Sequence, residues 1–187
     1  MLDKVINEVS GAVVAAVEGV DNILDAVTST VKGQVVNVLK GSSEIGISTI
    51  DAVASIADGA VKGAGRVGAS ISETASATIV ALVQGVSQTS ESIFDAIRGG
   101  ARGSVKAASD TGADIGNVAV SAVEGAIKAA GDVGADTAQA VKSAVGGALD
   151  AAVDIGGDAV STVRKALLSA SSLPKDIIEA ALKGSKK

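Results

Sequence analysis

The chain has 187 residues, one proline, one phenylalanine (Phe94) and no cysteine, histidine, tryptophan or tyrosine. These absences exclude a disulfide framework, a thiolate nucleophile, a zinc site of the nitrogen–sulfur kind and imidazole catalysis. With 16 Lys and Arg against 21 Asp and Glu the net charge is −5, and one aromatic ring makes no stacking platform, so the composition argues against nucleic acid as a partner.

Cut into blocks of eleven from Met1, the chain gives seventeen blocks with no remainder. None of its charged residues falls on the 85 positions numbered 1, 2, 5, 6 or 9 in those blocks. Eleven residues in three turns is about 3.67 per turn, close to an α-helix. On such a helix the five uncharged positions lie side by side as an apolar stripe about 130° wide. Strand alternation, with its period of two, is absent.

In chain order, residues 1–11 read as an opening half-repeat. Asp3, Lys4 and Glu8 interrupt any secretory h-region there. Residues 12–165 read as seven 22-residue units, because glycine recurs every 22 positions. One series is Gly19, Gly41, Gly63 and Gly85; the other is Gly46, Gly68, Gly112, Gly134 and Gly156, broken by Ser90. Two architectures fit. The preferred one is a continuous helix, since both eleven-residue halves share one phase. The other makes each 22-mer a helix of about 17 residues, with a turn near Gly131-Asp132-Val133-Gly134 where Gly ends one helix and Asp caps the next.

Several motifs inside the repeat are set aside. The run Thr74 to Ser90 is uncharged but too short and polar for a membrane span. Gly63-Ala64-Gly65-Arg66-Val67-Gly68 matches G-x-G-x-x-G without the preceding strand a dinucleotide site needs. Gly99-Gly100-Ala101-Arg102-Gly103-Ser104 reads as a flexible joint at the most basic spot, beside Arg98. The rows Lys106, Asp110, Asp114 and Lys128, Asp132, Asp136 read as a solvated helix face, as do Asp150, Asp154 and Asp158. Residues 166–187 form an atypical end. A break at Pro174 precedes a short helix near Lys175 to Lys183, closed by Gly184 and the Lys186-Lys187 tail.

The expected fold is therefore all-α: a long amphipathic helix, or helical hairpins, built from 11- and 22-residue repeats without a conventional globular core. Stripe residues are mostly small, and 23 glycines at up to ~1 kcal/mol each weaken the helices by on the order of 20 kcal/mol. A free monomer is expected to be loosely helical or unfolded until a surface or an assembly covers the stripe. The residues expected to face lipid or a partner are Ile79, Leu82, Val83, Val86, Ile93, Phe94 and Ile97, with Val105, Ile127, Leu149 and Val160.

With its small residues, its eleven-residue period and segments such as Val61-Lys62-Gly63 and Val17-Glu18-Gly19, the chain resembles the repeat regions of perilipins. It resembles more distantly the Lys-Glu-Gly-Val lipid-binding repeats of synucleins. The resemblance implies a helix lying in a lipid monolayer or bilayer interface and adds no catalytic residue, metal or cofactor. The expected function is accordingly structural: a non-enzymatic coat on a lipid surface that associates laterally with its own copies. The alternatives are a self-assembling filament or bundle that needs no lipid and, third, a desiccation or cold protectant. Thr78 and Thr89 are eleven apart, but Thr111, Thr137 and Thr162 do not extend an ice-binding row. The expected location is cytoplasmic, peripheral to a membrane or lipid body.

Overall fold

The structure, a computed structural model, describes residues 2–17, 22–45, 48–89 and 91–184. Glu18, Gly19, Gly46, Ser90 and the Lys186-Lys187 tail lie outside the described residues. Among those described, nine helices follow one another. They are α1 Leu2–Val17, α2 Ile23–Ile45, α3 Thr49–Arg66, α4 Ile71–Val86, α5 Ile93–Thr111, α6 Ile115–Val133, α7 Thr137–Ile155, α8 Ala159–Ser169 and α9 Lys175–Gly184.

The preferred reading of one continuous helix is overturned, and the reason is chemical. A capping side chain recurs every 22 residues: Ser48, Ser70, Ser92, Asp114 and Asp136 each accept a first-turn amide hydrogen bond. Each satisfies a donor that the helix start would leave orphaned. At the opposite ends, Gly112 (φ 73°) and Gly134 (φ 70°) adopt the left-handed conformation that other residues resist. The amides of Ala113 and Ala135 then close back on the carbonyls of Ala108 and Ala130, each at 2.8 Å. Asp114 and Asp136, read in the sequence as part of a solvated charge row, are these caps. After Pro174 the carbonyl of that residue accepts the Ile177 and Ile178 amides, and α9 begins.

The helices stack in two layers. α1, α3, α5, α7 and α9 lie side by side in one, and α2, α4, α6 and α8 in the other, with consecutive helices packed across the layers. Within a layer the alternate helices run parallel, because contacts advance in step: Gly99 meets the Ile50 carbonyl and Gly103 that of Ala54. A core fills the space between the layers, with Val13, Val31, Ile56, Ile79, Leu82, Ile97 and Val105 inaccessible to solvent. The expectation of helices without a core is thereby corrected. Long bulky side chains are not required, because glycine and alanine on the helix flanks let backbones approach until small residues pack densely.

Those glycines also set the register. On α5 against α3, and α7 against α5, contacting residues lie 49 apart in sequence: Gly99 with Ile50, Gly103 with Ala54, Gly147 with Arg98. The same separation joins Gly125 of α6 to Ser76 of α4. At the N-terminal end it is 53: Gly59 with Ile6, Gly63 with Ser10, and Gly85 with Lys32. The first helix pair is thus seated about one turn out of the repeat frame. α2, at 23 residues against 18 for α3 and 19 for α5, absorbs the extra turn. Its capping residue Asn22, which accepts the Leu24 and Asp25 amides, stands four positions ahead of the 22-residue series of caps.

Candidate functional site

The stripe residues come first. Ile79, Leu82, Val83, Val86, Ile97, Val105 and Leu149 are buried in the core, and Ile93, Phe94, Ile127 and Val160 are half-buried and packed against it. The stripe expected to face lipid or a partner is therefore covered by this chain's own opposite layer. Breaking the helix every 22 residues lets each segment's stripe fold onto its neighbours', which a continuous helix cannot do.

The charged faces come next. In the odd-numbered layer, charges from α3, α5 and α7 meet one another. Asp58, with only 2% of its side chain exposed, pairs with Lys62 at 2.8 Å and with Lys106 at 3.4 Å. Asp110 closes the ring, at 2.7 Å from Lys62 and 3.2 Å from Lys106. One helical turn and more away, Arg102 bridges Asp51 of α3 at 3.0 Å and Asp154 of α7 at 2.8 Å. Arg98 pairs with Asp150 at 2.8 Å.

Burial alone would lower the Lys62 ammonium, but its hydrogen bonds to Asp110 and Asp58 outweigh that and hold it above its ordinary value. Asp110 shows the mirror image. Burial would raise it, and the hydrogen bonds from Lys62 and Lys106 hold it below the usual carboxylate range. The hydrogen bond to Asp154 raises Arg102 further. Each charge is thus neutralised by a partner on a neighbouring helix, and the group works as a clasp between repeats. Gly99 and Gly103 lie inside α5 against the α3 backbone, so the expected flexible joint is instead a close helix contact. Asp150 and Asp154, read as free on a solvated face, are the clasp's partners on α7.

The two ends of the stack differ from its middle. At the N-terminal end, Gly11 of α1 and Gly33 of α2 are exposed, and a Cβ on either would meet nothing within 4 Å. With the first pair seated one turn out of frame, Gly11 stands 48 residues before Gly59, where an added Cβ would lie 2.5 Å from the Ile6 carbonyl. Exposed Ala15 stands in the same relation to Gly63, where an added Cβ would lie 2.8 Å from the Ser10 carbonyl. The outer face of α1 thus has the small residues of an interior contact, and among the described residues no helix lies on it. At the C-terminal end lie Val153 (67% exposed) and Leu168 (46%), the exposed large hydrophobic residues among those described. Two adjoining clefts line that end. One is formed by Arg98, Lys142, Leu149, Asp150, Val153, Val160, Arg164 and α9; the other by Val160, Arg164, Lys165 and Leu168 of α8. Sequence reading missed both ends, although the departure of residues 166–187 from the repeat marks where the second one falls.

No helix among the described residues is long and apolar enough to cross a membrane. No family model matches the chain, and no curated protein does. Among solved structures it is similar to the crystal structure of the de novo designed helical repeat protein DHR7, with 18% identity and a TM-score of 0.54 over 99% of this chain and 96% of that one. At that identity the likeness shows the fold alone: a helical repeat stack.

Proposed function

We propose that the protein is a non-enzymatic structural scaffold that associates with copies of itself through the uncovered outer face of α1 and α2. The observation that carries this reading is the outer face of α1 and α2. Gly11 and Ala15 occupy the positions at which α3 packs its backbone onto α1, yet among the described residues no helix lies on them. Repeat stacks need polar capping faces to stay monomeric, and an interior-type face left open is a contact waiting for a neighbour. The clasp charges support the non-enzymatic part, since they are committed to one another. The test is sedimentation over a protein concentration series without lipid. The wild-type protein is expected to shift to larger species, and Gly11→Glu with Gly33→Glu to remain monomeric with unchanged helicity. A wild-type protein that stays monomeric throughout would remove the reading.

A second reading is a lipid coat formed when the layers part and the stripes turn outward. Two observations favour it: the stripe is free of charge over its whole length, and the buried hydroxyls of Ser10, Thr74, Thr78 and Ser104 lack hydrogen-bond partners, which makes the closed core costly. Loss of amide-exchange protection in α4 and α5 on adding vesicles is the expected sign. Full protection on bound vesicles would count against it.

A further inference from the structure

The C-terminal end combines exposed large hydrophobic residues with a cluster of cations. Val153 and Leu168, the exposed large hydrophobic residues among those described, both lie there. Around them the two adjoining clefts collect four cations, Arg98, Lys142, Arg164 and Lys165, against one carboxylate, Asp150, which is already paired with Arg98. This happens in a chain whose net charge is −5. Arg164 is held in place by donating to the Leu182 carbonyl of α9 at 3.2 Å, so its charge projects from a fixed point. Lys142 and Lys165 have no acidic partner among the described residues. Asp154 is drawn away to Arg102, and Asp158 borders the patch at the start of α8. The opposite end offers a contrast: its Lys4 pairs with Glu8 at 3.6 Å, and no large hydrophobic residue is exposed there among those described.

We propose that the C-terminal end of the folded protein, Val153 and Leu168 ringed by Lys142, Arg164 and Lys165, is a docking surface for an anionic lipid interface. The chemistry fits that occupant. Apolar side chains enter the boundary of the acyl region, while cations at their rim meet negative headgroups. A second copy of this chain fits less well, because its free end presents Lys4 and Lys32 as well as acids. The contact needs no opening of the core, which separates it from a coat formed by unfolded stripes, and it uses the end that self-association through α1 leaves free.

The experiment is flotation with vesicles of phosphatidylcholine alone and of phosphatidylcholine with phosphatidylglycerol, at low and high salt. The wild-type protein is expected to float with the anionic vesicles only, and to be released by salt. Lys142→Glu with Lys165→Glu is expected to weaken binding by about tenfold or more per reversed cation. Val153→Asp with Leu168→Asp is expected to abolish it. All four sites are exposed or rim positions, and thermal melts check that the variants remain folded. Lys4→Glu with Lys32→Glu, at the other end, is expected to bind as wild type. Amide exchange on bound vesicles is expected to keep α3 to α6 protected. Equal flotation of wild type and both C-terminal variants would overturn the assignment of the surface while leaving lipid binding standing. Failure of the wild type to float with any vesicle would overturn both. Loss of protection in α4 and α5, or loss of a dimer in the C-terminal variants, would assign the lipid or the patch to a different contact and overturn the proposal.

Discussion

Thr78 is buried within the α4 stripe, and its hydroxyl has no partner. A hydroxyl taken out of water without a hydrogen bond costs free energy that a methyl does not. Thr78→Val is therefore expected to stabilise the fold by about 1 kcal/mol in urea unfolding. A destabilised variant would mean that the hydroxyl finds a partner in solution. Asp58 is the opposite case. It is almost wholly buried but lies between two ammonium groups, so Asp58→Ala leaves Lys62 and Lys106 with Asp110 as their one shared partner. A loss of about 1–2 kcal/mol in urea unfolding is expected, since both lysines are partly exposed and keep Asp110. A change near zero would show the clasp to be an ordinary surface pair. Neither role was legible from residue type. Asp58 occupies a charge-permitted position of the block, and only the arrival of Lys106 from α5 makes it part of a ring.

α5, α6 and α7 are each bounded by a capping side chain at one end and a glycine at the other, and placed by glycines on their flanks. Gly103 abuts the Ala54 carbonyl so closely that a Cβ has no room, and the obstacle is backbone, which cannot turn aside. Gly103→Val is expected to cost about 3 kcal/mol or to push α5 off α3. Gly131, inside α6, faces open space. Gly131→Ala is expected to stabilise by about 0.5–1 kcal/mol, since only helix propensity changes. Thermal melts of the two variants should move in opposite directions; movement in the same direction would refute the register role of the flank glycines. This pair shows why composition misled. Counted together, the glycines read as a uniform cost. In the fold, some of them are what allows small residues to form a core.

For the whole stack, the charges between repeats make stability depend on pH at both extremes. Asp110 is held below its ordinary value of 3.8, so its contribution is complete above that pH and is lost as pH falls through the lower, folded value. Lys62 is held above 10.5, so its contribution is complete below that pH and is lost as pH rises through the raised value. Melting temperature is expected to be level between these limits and to fall outside them. Lys62→Met is expected to flatten the alkaline fall. An unchanged alkaline profile in that variant would remove Lys62 from the clasp's contribution to stability.

The helices, their 22-residue spacing and the side of each that stays free of charge are written in local chemistry: capping side chains, glycine at the ends, and an eleven-residue period. What covers the stripe is not local. Because 22 is twice 11, a helix broken at every cap keeps the same phase as an unbroken one, and periodicity cannot tell them apart. Serine at 48, 70 and 92 and aspartate at 114 and 136 hold that distinction, and they act only once the chain turns back at each of them. The sequence by itself therefore determined an all-helical, repeating, charge-segregated chain. The tertiary structure alone decided that the stripe is covered from within, that Asp58 meets Lys106 across two helices, and that the surfaces left open are the two ends, because these depend on residues about 50 positions apart being brought together by backbone approach at glycine.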